Sequence, residues 1–222
     1  MHGGTFAELV TVPVRTAAFK PAAATWEEAA SIPLAGLTAY QTLGVLGLSE
    51  GETVLVHAGA GGVGLFAVQI AKAYGARVIA TASEKNHDLL RELGAEPVTY
   101  GEGLAERVRA LAPEGVDISL DLVGGVLDDT LAVLKDGGRF GSIADHTVLT
   151  KGGEYMWVRP DAEDLTEVAG LVQEGAVKVF VAETFPLERT ADAFRASMSG
   201  HTRGKIAVRV ADADSGVTTD TE

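Results

Sequence analysis

The sequence predicts an α/β fold, a mostly parallel β-sheet with helices on both faces. Three observations carry this. Short β-branched runs alternate with helix-patterned segments along most of the 222 residues. A glycine-rich loop joins one of those runs to the helix that follows it. The composition, 46% apolar and 22% charged, is globular and supplies a sizeable core. The absence of Cys excludes disulfides, thiolate metal sites and a cysteine nucleophile. With 31 Asp and Glu against 18 Lys and Arg, the net charge of -13 repels a phosphate backbone, so no nucleic-acid partner is expected.

Taken in order, residues 6–13 read as a short strand. Thr25 ahead of Trp26, Glu27 and Glu28 is a helix start, a hydroxyl cap followed by acids at the positive end of the dipole. A second apolar helix is expected over 34–46, after Pro33. Residues 53–57 form a strand, 59–64 the glycine loop, and 63–74 a helix stopped by Gly75. A β-branched strand over 77–82 leads to a helix over 86–93, stopped by Gly94. Strands at 97–100, 116–122 and 138–144 alternate with helices at 104–111 and 126–135. Beyond a loose stretch around 151–154, the pattern predicts a strand at 155–158, a helix at 162–174, a strand at 177–181, a helix at 187–198 and a last strand at 206–210. The acidic, hydroxyl-rich tail at 211–222 is expected to be disordered.

Residues 29–49 and 53–71 carry no charged side chain and are long enough to span a bilayer. Pro33, Gly36 and Gln41 interrupt the first, however, and His57, Gln69 and several glycines the second. An apolar strand followed by an apolar helix is what a sheet covered on both faces produces. No membrane partner is expected. The N-terminus lacks a basic region followed by an apolar one, so no secretory signal is read and a cytoplasmic location is expected.

The most informative stretch is Gly59-Ala-Gly61-Gly62-Val63-Gly64, in which Gly59, Gly61 and Gly64 fit G-x-G-x-x-G between a strand and a helix. In that setting the three glycines serve distinct physical ends, namely a tight turn, close approach of backbone to a pyrophosphate, and close packing of helix on strand. The N–H groups of Gly62, Val63 and Gly64 then face an anion at the positive end of the helix. A dinucleotide cofactor is the reading. The next strand ends Ala80-Thr-Ala-Ser83 with no acid to accept from a ribose 2′-hydroxyl, and Lys85 follows. A hydroxyl and a cation at that corner suit a 2′-phosphate, which favours NADPH, while Glu84 nearby keeps NADH open.

Taken together with further motifs along the chain, the sequence resembles a known family. The run from Glu28 to Gln41, the run from Gly51 to Gly64, Leu93-Gly-Ala95, Asp121-Leu-Val-Gly-Gly125, Gly137 to Ile143, Phe185-Pro-Leu187 and Gly200 to Lys205 are similar to medium-chain dehydrogenases/reductases. The nearest branch is the zinc-independent, zeta-crystallin-like quinone oxidoreductases. The resemblance implies that Gly61, Gly62, Val63 and Gly64 line the pyrophosphate, and that Ser83 and Lys85 meet the 2′-phosphate with Tyr100 beside them. It places Thr38 by the nicotinamide, Val123 and Ile143 at strand ends beneath the cofactor, and the Thr202-Arg203 turn over it. It implies hydride transfer from NADPH to a quinone or activated alkene, and a homodimer through the Rossmann sheet edge at 155–158. In such enzymes a GroES-like lobe precedes the cofactor domain, and this sequence starts where that lobe ends. The expected division is therefore a lobe remnant at 1–24, an NADP-binding Rossmann domain at 25–175, returning lobe elements at 176–210 and the tail. Phe185, Phe194 and Ile206, which would pack into that lobe, are expected to be exposed.

A chain without most of that lobe is either an impaired reductase or a nucleotide-binding subunit, half of a split enzyme, that works through a partner. No residue stands out as a proton donor, so catalytic residues are left unassigned; Tyr40 reads as core. The five His, at 2, 57, 87, 146 and 201, show no metal-ligand spacing, and no metal is expected. His57 reads as a packed strand end. No Tyr is followed by Lys four positions later, which excludes a short-chain dehydrogenase site.

Overall fold

A computed structural model of the chain describes residues 4–200 and 202–211. Eight strands and seven α-helices alternate among the described residues: α1 (Trp26–Val45), β1 (Thr53–Val56), α2 (Gly64–Ala73), β2 (Arg77–Thr81), α3 (His87–Glu92), β3 (Glu96–Val98), α4 (Leu104–Leu111), β4 (Val116–Asp121), α5 (Leu127–Val133), β5 (Leu134–Ser142), β6 (Glu154–Tyr155), α6 (Ala162–Gln173), β7 (Val181–Pro186), α7 (Thr190–Met198) and β8 (Lys205–Arg209). Six strands form one parallel sheet in the order β3-β2-β1-β4-β5-β6, and β7 and β8 form a second parallel pair.

Alternation along the central strands divides the core. Val54 and Val56 of β1 and Val78 and Ala80 of β2 face one cluster, built with Leu43 of α1, Phe66 and Ile70 of α2 and Val168 of α6. Leu55 and Ile79 point the other way, to Leu104 and Val108 of α4 and to Val133. This is the period-2 alternation of strands buried on both faces. The two uncharged stretches are accounted for by α1 and by the β1–α2 unit. Among the described residues no helix is long and apolar enough to cross a membrane.

Four local expectations are corrected. The chain does not break at Pro33: α1 runs through it from a Thr25–Glu28 capping box. Burial of Ile32, Ala35, Leu37 and Leu43 outweighs the one backbone bond that Pro33 cannot make. Residues 6–13 are not a strand, since no sheet edge among the described residues lies beside them, and Phe6, Leu9, Val10 and Val12 are exposed. The helix expected to Lys135 stops at Val133, and β5 begins at Leu134 with a bulge: Val116 pairs with Leu134 but Ile118 with Arg139. Finally, the strand expected at 177–181 starts only at Val181. Gln69 holds that preceding segment instead, donating from Nε2 to the Lys178 carbonyl at 3.0 Å and accepting its N–H at 2.8 Å.

Of the three returning residues expected to be exposed, Phe194 is, Ile206 is half-buried, and Phe185 is buried under the Arg189 guanidinium. The tail expected to be disordered falls, from Asp212 on, outside the described residues, as do His2 and His201.

Candidate functional site

The crossovers leave β1 in opposite directions: β2 and β3 lie on one side, β4 to β6 on the other. The crevice beyond the C-terminal ends of β1 and β4 is the switch point, where open α/β sheets bind their ligands. The glycine loop stands at that crevice. After β1, the His57 N–H donates to the Leu120 carbonyl, Ala58 N–H to the Thr81 hydroxyl, and Gly59 N–H to the Thr81 carbonyl. The chain then turns, with Gly61 N–H on the Ala58 carbonyl at 2.9 Å, and α2 begins.

The glycines are required for space rather than handedness. None of the four has a positive φ; Ala58 carries it instead, at 55°. A Cβ on Gly59 would stand 2.7 Å from the Ala80 Cβ, and one on Gly64 would collide with the Ala58 carbonyl oxygen. A Cβ on Gly61 would come within 3.2 Å of that same oxygen. With Val63 as N-cap, no side chain caps α2. Leu65 N–H donates to the Gly61 carbonyl at 3.0 Å, and the N–H groups of Gly62, Val63 and Gly64 remain for an anion.

A neighbour arrives from the far end of the chain. Gly204 N–H approaches the Ala60 carbonyl at 3.4 Å, which seats the Thr202-Arg203 turn and the start of β8 on the loop. A Cβ on Gly62 would meet Lys205 Cδ at 2.7 Å and its Nζ at 3.5 Å. Lys205 is half-buried, and desolvation pulls its ammonium below the ordinary lysine range. No hydrogen bond or ion pair holds that ammonium among the described residues. Sequence reasoning places Lys205 within a motif and gives it no role; its signal is a cation opening the apolar run Lys-Ile-Ala-Val.

The second predicted cluster also assembles. Ala82 N–H donates to the Val98 carbonyl, which brings Ser83 beside the Thr99-Tyr100 turn. Ser83 Oγ accepts from Asn86 Nδ2 at 3.3 Å; Lys85 and Glu84 are exposed on the 3-10 turn that follows, and Tyr100 is 57% exposed. Val123 and Ile143 lie just beyond the paired ends of β4 and β5. Buried Asp121 accepts from the Val123 and Gly124 N–H groups and from Ser142 Oγ, and Ser142 Oγ accepts in turn from Ala144 and Asp145. Thr38, expected by the nicotinamide, lies within α1, 8% exposed, its hydroxyl donating to the Leu34 carbonyl at 2.6 Å. It shares no hydrogen bond with either cluster.

His57 is fully buried beneath the loop. Its Nε2 faces the Thr130 hydroxyl at 3.1 Å, Thr130 faces Ser119 at 3.2 Å, and Nδ1 has no partner. Burial lowers its pKa to about 4, against the opposing charges of Asp121 and Asp129, so the ring is neutral at pH 7. Tyr40 lines a cleft of about 360 Å³ with Tyr74, Ile70 and Trp157, to which the glycine loop contributes nothing. Burial first, and then Tyr74 beside it, push the Tyr40 hydroxyl up to about 12.

This geometry defines a dinucleotide-binding fold with an uncapped helix mouth at its switch point. Residues 93–208 match the zinc-binding dehydrogenase family, and the chain belongs to that family, within the medium-chain dehydrogenases/reductases. It is 32% identical over 246 residues to the human mitochondrial NAD(P)H oxidoreductase RTN4IP1, covering 93% of this chain and 61% of that protein. To the chloroplastic NADPH-dependent alkenal/one oxidoreductase of Arabidopsis thaliana it is 35% identical, covering 92% and 53%. A stretch of the Streptomyces halstedii polyketide synthase GfsB is 36% identical over 93% of this chain and 4% of the synthase. Among solved structures, the Coxiella burnetii quinone oxidoreductase superposes with a TM-score of 0.76 at 33% identity, over 86% of this chain and 63% of the other. An NAD-dependent alcohol dehydrogenase gives 0.83 at 34%, over 94% and 66%. Mycobacterial Rv1454c complexed with NADPH gives 0.73 at 32%, over 85% and 66%. The chain thus spans less than two thirds of the length of these relatives. Zinc, which the family's description names, does not fit the residues present. The sequence has no Cys, and no three His, Asp or Glu side chains converge as ligands among the described residues.

Proposed function

We propose that this chain is the nucleotide-binding part of a zinc-independent oxidoreductase that uses NADPH to reduce a quinone or an activated alkene. The observation that carries the reading is the uncapped mouth of α2, flanked by glycines with no room for a Cβ, at the switch point of the sheet. Gly61 to Gly64 line the pyrophosphate, with the amides of Gly62, Val63 and Gly64 on it and the Lys205 ammonium beside them. Ser83, Lys85 and Tyr100 hold the 2′-phosphate, and Val123 and Ile143 form the floor between the strand ends. The nicotinamide supplies the hydride; the protein's part is to orient the ring and exclude water. The quinone and alkenal/one activities of two relatives support the substrate class. The NADPH of a structural neighbour supports the cofactor, while the NAD-dependent neighbour makes the Ser83–Lys85 corner the deciding feature.

Calorimetric titration with NADPH and NADH tests this. Lys85→Ala is expected to weaken NADPH binding roughly tenfold and leave NADH within about twofold. Lys205→Met is expected to weaken both nucleotides alike, because each carries the pyrophosphate. Equal losses in Lys85→Ala contradict the corner assignment, and failure of both nucleotides to bind the wild-type chain ends the whole reading. Oxidation of NADPH with a simple quinone tests the activity directly.

A further inference from the structure

Arg107, in the first half of α4, belongs to none of the motifs that mark the nucleotide site. Arg77, Arg91, Arg139, Arg189, Arg195 and Arg209 pair with carboxylates. Arg107 has no such partner among the described residues and turns instead to four consecutive backbone carbonyls. Nε donates to Thr99 at 2.9 Å and Nη1 to Glu102 at 2.9 Å; Nη2 donates to Tyr100 at 3.4 Å and Gly101 at 3.2 Å. All three nitrogens of one planar fork thus gather the turn between β3 and α4. Gly101 and Gly103, at φ of 88° and 76°, give the backbone the left-handed steps this path needs. A turn that leads out of β3 beside Ser83, with its carbonyls drawn inward, projects the Tyr100 side chain into solvent at the corner.

We propose that Arg107 is a positioning residue for the 2′-phosphate: it presets the Thr99–Glu102 turn so that Tyr100 meets the phosphate without an ordering cost, and thereby sets the preference for NADPH over NADH. This rests on the reading of Ser83, Lys85 and Tyr100 given above. An unrestrained four-residue turn containing a glycine loses conformational freedom when it closes on a ligand, and a preset one does not. Lysine cannot substitute, because a single ammonium on a flexible stem does not span four carbonyls as a rigid fork does.

The test uses the full chain, with Arg107→Ala, Arg107→Lys and Tyr100→Ala, and measures dissociation constants for NADPH, NADH and adenosine 2′,5′-bisphosphate. Arg107→Ala is expected to weaken the two 2′-phosphorylated ligands by about tenfold and NADH by less than about twofold. Arg107→Lys is expected to behave like Arg107→Ala, and Arg107→Ala added to Tyr100→Ala to cost little more than Tyr100→Ala alone. Equal losses for NADPH and NADH, full recovery in Arg107→Lys, or additive losses in the double variant each overturn the proposal. Should Arg107→Ala fail to fold by circular dichroism, Arg107→Gln carries the same comparison. A wild-type chain that binds NADPH no better than NADH overturns the corner assignment and this proposal together. A wild-type preference that survives intact in Arg107→Ala overturns this one alone.

Discussion

At the scale of single residues, the site is built on two kinds of exception: glycines that cannot carry a Cβ, and polar groups whose environment leaves them short of partners. His57 is the sharpest of the second kind. Its ring is buried with Nδ1 unpartnered, and burial holds its pKa at about 4 against 6.5 in an unfolded chain. The sign follows from proton binding. Above pH 6.5 both states leave the ring neutral. As pH falls from 6.5 towards 4, the unfolded chain takes up the proton and the folded one does not, so stability falls across that window. In His57→Gln the urea midpoint is expected to drop less between pH 7 and about pH 4.5 than in the wild type, whatever its value at pH 7. Identical slopes would show that another group governs the window. Lys205 is the complementary case, a half-buried cation for which no partner is found among the described residues, next to the positive end of a helix. An anion between the two relieves both.

At the scale of elements, legibility in the sequence followed the range of the interactions that shape each segment. Helix α4 occupies the residues expected of it, and α6 begins where Asp161 can accept from the Glu163 and Asp164 N–H groups; such caps are local. The Gly61–Gly64 loop and the Ser83, Lys85 and Tyr100 corner were legible for the same reason, since each lies at a strand end marked by short-range pattern. The misread segments depend on distant partners. Helix α1 survives Pro33 through packing: a Cβ on Gly36 would come within 2.9 Å of Val168 in α6. The 177–180 segment lies outside any strand, and its Lys178 bonds to a glutamine side chain, which no periodicity reports. Arg107 escaped notice because its partners are backbone carbonyls set by the fold, and Lys205 because only the fold brings it to the glycine loop. Gln69→Leu is expected to remove both bonds to Lys178 and destabilise the chain by about 1 to 2 kcal/mol in urea denaturation. An unchanged midpoint would mean that water replaces the amide at no cost.

At the scale of the whole molecule, β8 comes to rest against α1 and the glycine loop. Arg209 of β8 pairs with Glu27 in the first turn of α1, and the start of β8 rests on the glycine loop through Gly204 and Lys205. The strand order places the glycine loop centrally, after β1, and β8 reaches it from the far end of the chain. A chain of net charge -13 thus brings a cation to the glycine loop.

The seating of β8 has a consequence for handling and turnover. A dinucleotide lodged in the loop, as proposed, acts as a clasp on β8. Saturating NADPH is therefore expected to raise the melting temperature and to slow tryptic nicking after exposed Arg203 more than nicking after exposed Arg15. Equal protection at the two sites would mean that the strand is held shut without the nucleotide.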